Sequence, residues 1–286
     1  MRMEFGQVAD DADIIAEWFR SFDLNVHNSR IERYASLIHD IAKQIESGSP
    51  DGLSSDSIEH IKALFEYGEL SIIFRAFENN APEGLKNLLE KIVSGPFSYV
   101  DESGNNTSAR NFAFEANLGS RLDLADLPVS FAHTGDVMSE FENKAIYFQC
   151  KRLASVKQSR KRVSAACKQI QTDLKNHTGS GAFGYVGLDI TKVCDEKDFL
   201  LKDVSVSAIE ARLSDSRKRF ITDNLDNQGI NFGKNTLGVL VRNACICLIE
   251  NDDSYMFIQG YTVANKPGIS DHHKQFSNRF YNRLTA

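Results

Sequence analysis

Apolar residues recur at spacings of three and four through the first third of the chain, the repeat of a single helix face. This pattern predicts helices over Asp13–Phe22, Ser29–Ile45, Ser54–Tyr67 and Gly84–Val93, with Gly48-Ser49-Pro50-Asp51-Gly52 as a loop. Ser94-Gly95-Pro96 closes the region, and Asp101-Glu102-Ser103-Gly104-Asn105-Asn106-Thr107 reads as a polar linker. The expected organisation is a helical N-terminal region over residues 1–100 and a second domain over 101–286.

The repeat returns from Ser108, a plausible N-cap, to Leu122. Phe112, Glu115, Gly119 and Leu122 fall on one stripe, which turns Glu115 inward. A buried carboxylate is costly unless it meets a cation, a donor or a metal. Pro128–Phe141 then reads as two short strands, or one bent strand, broken at His133-Thr134-Gly135, which sets Asp136 just past a glycine turn. Lys144–Leu153, rich in aromatic and β-branched residues, reads as a strand. Strand side chains alternate faces. Tyr147, Gln149 and Lys151 therefore share one face, Ile146, Phe148 and Cys150 the other, and Gln149 can face Asp136.

A helix follows over Ser155–Asn176, with Val156, Val163, Cys167, Ile170 and Leu174 as its buried stripe, and then the strand Gly184–Ile190. The remainder reads as a helix over Ser207–Asn224, strands Thr236–Glu250 and Tyr255–Ala264 paired about Asn251-Asp252-Asp253, and a last helix over Asp271–Leu284. The fold class is α/β.

Ala109-Arg110-Asn111-Phe112-Ala113-Phe114-Glu115, Gly135-Asp136-Val137, Gln149-Cys150-Lys151-Arg152, the basic helix with Lys168-Gln169-Ile170, and the strand Gly184–Ile190 together resemble the PD-(D/E)XK nuclease superfamily, in its restriction-endonuclease-like form. The resemblance spans about Ser108 to Thr191 and implies an αβββαβ core. It further implies that Asp136 and the residue at 149 hold the metal, that Glu115 completes the metal shell, and that Lys151 is the catalytic lysine. The usual acidic residue at 149 is Gln here, a QxK variant carried by some branches, the Mrr-like restriction enzymes among them.

These residue types suit the chemistry. Phosphodiester cleavage needs an activated water and neutralisation of charge on the phosphate, and a divalent cation serves both. Mg²⁺, or Mn²⁺ in its place, prefers oxygen ligands and keeps several waters, so one or two carboxylates plus an amide or backbone carbonyl oxygen suffice. Lys151 supplies a point charge for the attacking water or the developing phosphorane. Gln149 contributes an oxygen without charge, so metal should bind more weakly than at a three-carboxylate site.

Charge changes the picture locally. The chain carries 33 basic and 39 acidic residues, a net charge of -6, and so lacks the overall basic balance of many DNA-binding domains. Between Lys151 and Lys175, however, eight basic residues stand against one acidic residue, Asp173. Arg152, Lys157, Arg160, Lys161, Arg162 and Gln169 are therefore candidate nucleic-acid contacts, a cationic ridge for phosphates. A solvated helix face is the plain alternative.

At 286 residues, 42% hydrophobic and 25% charged, the chain is long enough for one large or two modest cores. No stretch approaches the ~20 apolar residues of a membrane helix, and the start Met1-Arg2-Met3-Glu4-Phe5 does not read as a signal peptide; a cytoplasmic protein is expected. Its five cysteines include no CxxC pair, and Cys245 and Cys247 read as core residues. Asp271-His272-His273 reads as a solvated loop or helix start rather than a metal site, and Gly233-Lys234 lacks a second glycine at Walker spacing.

The expectation is a metal-dependent nuclease acting on DNA, in defence or nucleic-acid processing. Its rivals are a catalytically degenerate module on the same fold that binds nucleic acid or a partner protein, and an RNA-directed toxin-like nuclease. The N-terminal helices name no chemistry; they could recognise nucleic acid, dimerise or dock a partner protein.

Overall fold

The computed structural model describes residues 2–3, 5–47, 58–95, 97, 108–179, 181–194, 200–226, 229–250 and 254–286. In chain order the elements are β1 (Arg2–Met3), α1 (Phe5–Ser21), α2 (Arg30–Glu46), α3 (Ile58–Phe77), α4 (Leu85–Val93), α5 (Ser108–Asp123), β2 (Val129–Ser130), β3 (Val137–Phe141), β4 (Lys144–Arg152), α6 (Ser159–Asn176), β5 (Ala182–Asp189), β6 (Leu200–Asp203), α7 (Val206–Asn224), β7 (Thr236–Ile249), β8 (Ser254–Asn265) and α8 (Asp271–Thr285). The expected loop at 48–52, linker at 101–107 and turn at 251–253 lie outside the described residues, as do the side chain of Ser108 and the start of the helix expected at Ser54.

One mixed sheet organises the chain, in the order β1-β8-β7-β5-β4-β3-β2, with β6 paired to β7. β4, β5 and β7 run parallel, while β2, β3 and β4 form an antiparallel run. Alternation along the strands sorts the core. Phe148, Cys150, Tyr185 and Leu240 pack against Phe114 and Leu118 of α5 and Phe280 of α8. Val186, Leu188, Val239 and Val241 meet Val163, Cys167 and Ile170 of α6 on the opposite face, and Cys245 and Cys247 are buried there against Ile209 and Leu213 of α7.

The helical region does not stand apart from the sheet. One buried cluster joins residues of α1 to α4 with Ala113 and Ala116 of α5, Ala244 and Ile246 of β7, and Tyr255 and Phe257 of β8. β1 adds a strand at the far edge by pairing with β8. α3 runs ten residues beyond its expected end because it is buried on nearly all sides, so no polar face marks its helical period. At Gly68 a Cβ would lie 2.4 Å from the Phe257 ring, so only glycine lets helix and strand approach this closely. Inside the junction Arg242, with no exposed side-chain surface, lies 2.7 Å from Glu69 and 3.5 Å from Asp189, and Glu66 holds Arg110 at 2.6 Å and Arg30 at 3.2 Å. Buried charges persist when paired in this way.

The remaining elements follow the apolar pattern with several departures: α1 begins at Phe5, eight residues before its expected start at Asp13, and β1 was not expected. Val156 was expected in a buried stripe but is exposed, because a short 3₁₀ turn over Val156–Gln158 precedes α6 and swings it outward. β6 was not expected; four residues carry too little pattern to be read.

Candidate metal and nucleic-acid site

β4 and β5 end side by side at Arg152 and Asp189, and the carboxyl ends of parallel strands are where α/β sheets gather ligands. A cleft of ≈ 580 Å³ opens there, lined by Glu115, Asp136, Lys151, Arg162, Lys168 and Lys192 among others.

Asp136 precedes β3 and is fixed by β4 itself. Its backbone N–H donates to the Phe148 carbonyl at 3.1 Å, and its Oδ2 accepts the Cys150 N–H at 2.6 Å. Lys151 Nζ lies 3.7 Å from the same oxygen. Glu115 arrives from α5, whose inward stripe carries it as the spacing implied. It is 8% exposed, and among the described residues its carboxylate has no hydrogen-bond or ion-pair partner. Burial, reinforced by the Asp136 charge and only partly offset by Lys151 and Lys91, pushes the Glu115 carboxyl up to about 9. Burial also raises Asp136, against the pull of Lys151 and the Cys150 N–H. The two carboxylates open onto one cleft, and Asp136 disfavours the charged form of Glu115 there, as like charges do.

The structure brings together Glu115, Asp136 and Lys151, and it leaves Gln149 out. Gln149 lies on the Lys151 face of β4 as alternation requires, but it is buried and does not line the cleft. Its amide nitrogen donates to Asp173 of α6 at 3.0 Å, and its buried Oε1 has no partner. The expected convergence of oxygens from Glu115, Asp136 and Gln149 is therefore corrected to the two carboxylates. The physical reason is Asp173, a buried acceptor that competes for the amide. Among the described residues no three His, Cys, Asp or Glu side chains form a ready-made metal cage. Two carboxylates opening onto one cleft nonetheless suit Mg²⁺, which keeps several waters when bound.

The ridge on α6 divides. Arg162, Lys168 and Gln169 are exposed and line the cleft. Lys157, Arg160 and Lys161 are exposed but do not line it. Arg152 lines the cleft with its guanidinium held by Asp189 at 3.2 Å, which limits its freedom to meet a phosphate. Lys192 and Asn111 were missed. Lys192 could have been found from its place just beyond the carboxyl end of β5; Asn111 carries no comparable signal. Asp173 too was legible, as the one acid of a basic segment.

The chain shows no significant match to any protein-family model, curated protein or solved structure. Among the described residues no helix is long and apolar enough to cross a membrane.

Proposed function

We propose that this protein is a divalent-metal-dependent nuclease acting on DNA, on a restriction-endonuclease-like core formed by α5, β2, β3, β4, α6 and β5. One observation carries the reading: Glu115, a buried carboxylate without a partner, shares a cleft with Asp136 and Lys151.

Glu115 and Asp136 would hold Mg²⁺ or Mn²⁺. The bound ion would activate the attacking water and offset charge on the phosphate. Asp136 would meet the ion with its orientation set in advance, since Oδ2 is tied to the Cys150 N–H. Glu115, whose carboxyl burial pushes up to about 9, would give up its proton to hold the ion. Lys151 places an ammonium beside the phosphate, where a point charge stabilises developing negative charge. Arg162, Lys168 and Lys192 line the approach and would neutralise neighbouring phosphates.

A second reading, a degenerate module that binds nucleic acid without cutting it, is favoured by the amide of Gln149 turned toward Asp173. The test is incubation with plasmid, linear duplex, single-stranded DNA and RNA, with Mg²⁺, Mn²⁺ or EDTA. Cleavage of DNA that stops in EDTA supports the nuclease; retention of DNA without cleavage in any metal supports the module, and cleavage of RNA alone moves the substrate to RNA.

A further inference from the structure

A second pocket, of ≈ 350 Å³, opens between α7, β8 and the last residues of α5 and α8. Arg121, Glu210, Arg217, Gln259, Gly260 and Thr285 line it, and it shares no lining residue with the cleft.

Arg217 is unusual for a buried arginine, being 6% exposed with no carboxylate partner. Its Nε donates to Thr262 Oγ1 at 2.9 Å and its Nη1 to Asn243 Oδ1 at 2.5 Å, both neutral oxygens. Nη2 has no partner and is not sealed from solvent. Burial lowers its pKa with no carboxylate to hold it up. Every other fully buried arginine with a described environment, Arg30, Arg110 and Arg242, pairs with a carboxylate. Gly260 makes room for the guanidinium: a Cβ there would lie 2.4 Å from Nη1 and 2.8 Å from Nη2. Arg121, on the same pocket, also has no ion-pair or hydrogen-bond partner among the described residues. Glu210 is exposed and pairs with neither.

We propose that this pocket is an anion site that takes a phosphate monoester. Two unpaired guanidiniums match the charge of about -1.5 to -2 that such a group carries at neutral pH, and arginine suits phosphate because its fork of donors meets two oxygens at once. The volume exceeds what a bare phosphate needs and falls within the range of small-molecule sites, roughly 300 to 1,000 Å³. The phosphate could come from the free ion or from a nucleoside monophosphate, and the charge pattern is common to both.

The test is calorimetric titration of the full chain, in EDTA and at constant ionic strength, with inorganic phosphate in one arm and adenosine 5′-monophosphate in the other. Saturable binding of one equivalent is expected in at least one arm, tighter for the nucleotide if the whole pocket is used and equal if only the phosphate is held. Arg121→Gln, a partly exposed position, should weaken binding about tenfold or more, the effect of losing one charged hydrogen bond. Glu210→Gln should tighten it. Arg217→Met should abolish it, and if that variant fails to fold the other two still decide. Absence of saturable binding in both arms, an unchanged affinity in Arg121→Gln, or loss of binding in the cleft variant Arg162→Gln/Lys168→Gln would overturn the proposal.

Discussion

Lys151 Nζ lies 3.7 Å from Asp136 Oδ2, the same oxygen that accepts the Cys150 N–H at 2.6 Å. The strand that presents the lysine thus also orients the carboxylate, and one register between β3 and β4 sets both groups. Glu115 comes from a different layer and has neither contact, so its charge is the least compensated in the cleft. This asymmetry makes Glu115 the group most sensitive to pH and to metal.

In the metal-free protein burial pushes the Glu115 carboxyl up to about 9, from 4.5 for an unburied glutamate. A carboxyl raised on folding contributes stability that is complete below the lower value and is lost as pH rises through the upper one. The melting temperature in EDTA should therefore fall from pH 5 to pH 9, and Glu115→Gln should flatten that fall. Mn²⁺ affinity should rise about tenfold per pH unit over the same window, since one proton leaves per ion bound. Calorimetry across pH measures both; parallel melting profiles for parent and variant would remove Glu115 from the account.

Gln149 gives a second test. Replacing it with Glu puts a carboxylate against Asp173 in a buried layer, so Gln149→Glu should destabilise the metal-free protein by on the order of 3 kcal/mol. Adding Asp173→Asn should recover most of the loss. Denaturant melts of the single and double variants decide it. If Gln149→Glu instead leaves stability unchanged and strengthens Mn²⁺ binding, the side chain faces the metal rather than α6.

The division of the basic ridge predicts unequal effects on DNA binding. Arg162→Gln with Lys168→Gln should lower the log-log salt slope by about 0.9 per lost phosphate contact on duplex DNA. The triple variant Lys157→Gln, Arg160→Gln, Lys161→Gln should change it less, since those residues do not line the cleft. Fluorescence anisotropy at several salt concentrations measures the slopes; a larger effect in the triple variant would move the nucleic-acid path away from the cleft.

Local pattern carried much of the fold. Alternation along 144–153 and the break in strand structure before Asp136 are short-range features, and the structure shows both; the stripe that turns Glu115 inward is equally local. What escaped was set by partners distant in sequence. The amide of Gln149 is directed by Asp173, 24 positions away, and Arg152 is restrained by Asp189, 37 positions away. The union of the N-terminal helices with the sheet brings together residues far apart in the chain, Phe65 with Phe257 and Glu69 with Arg242 across 173 positions among them, pairings no local repeat announces. α3 was cut short for the same reason, since a helix buried all round shows no polar stripe.

The central claim is most directly tested by single-turnover cleavage of supercoiled plasmid in Mg²⁺ and in Mn²⁺, comparing the parent with Lys151→Ala at protein concentrations that saturate DNA binding in both. Lys151 is partly exposed at the end of β4, so the variant should fold and bind while its cleavage rate falls ~10²- to 10³-fold, the usual effect of removing one electrostatic group from a reacting centre. Equal cleavage rates in the two proteins, or no metal-dependent cleavage by the parent, would contradict the claim.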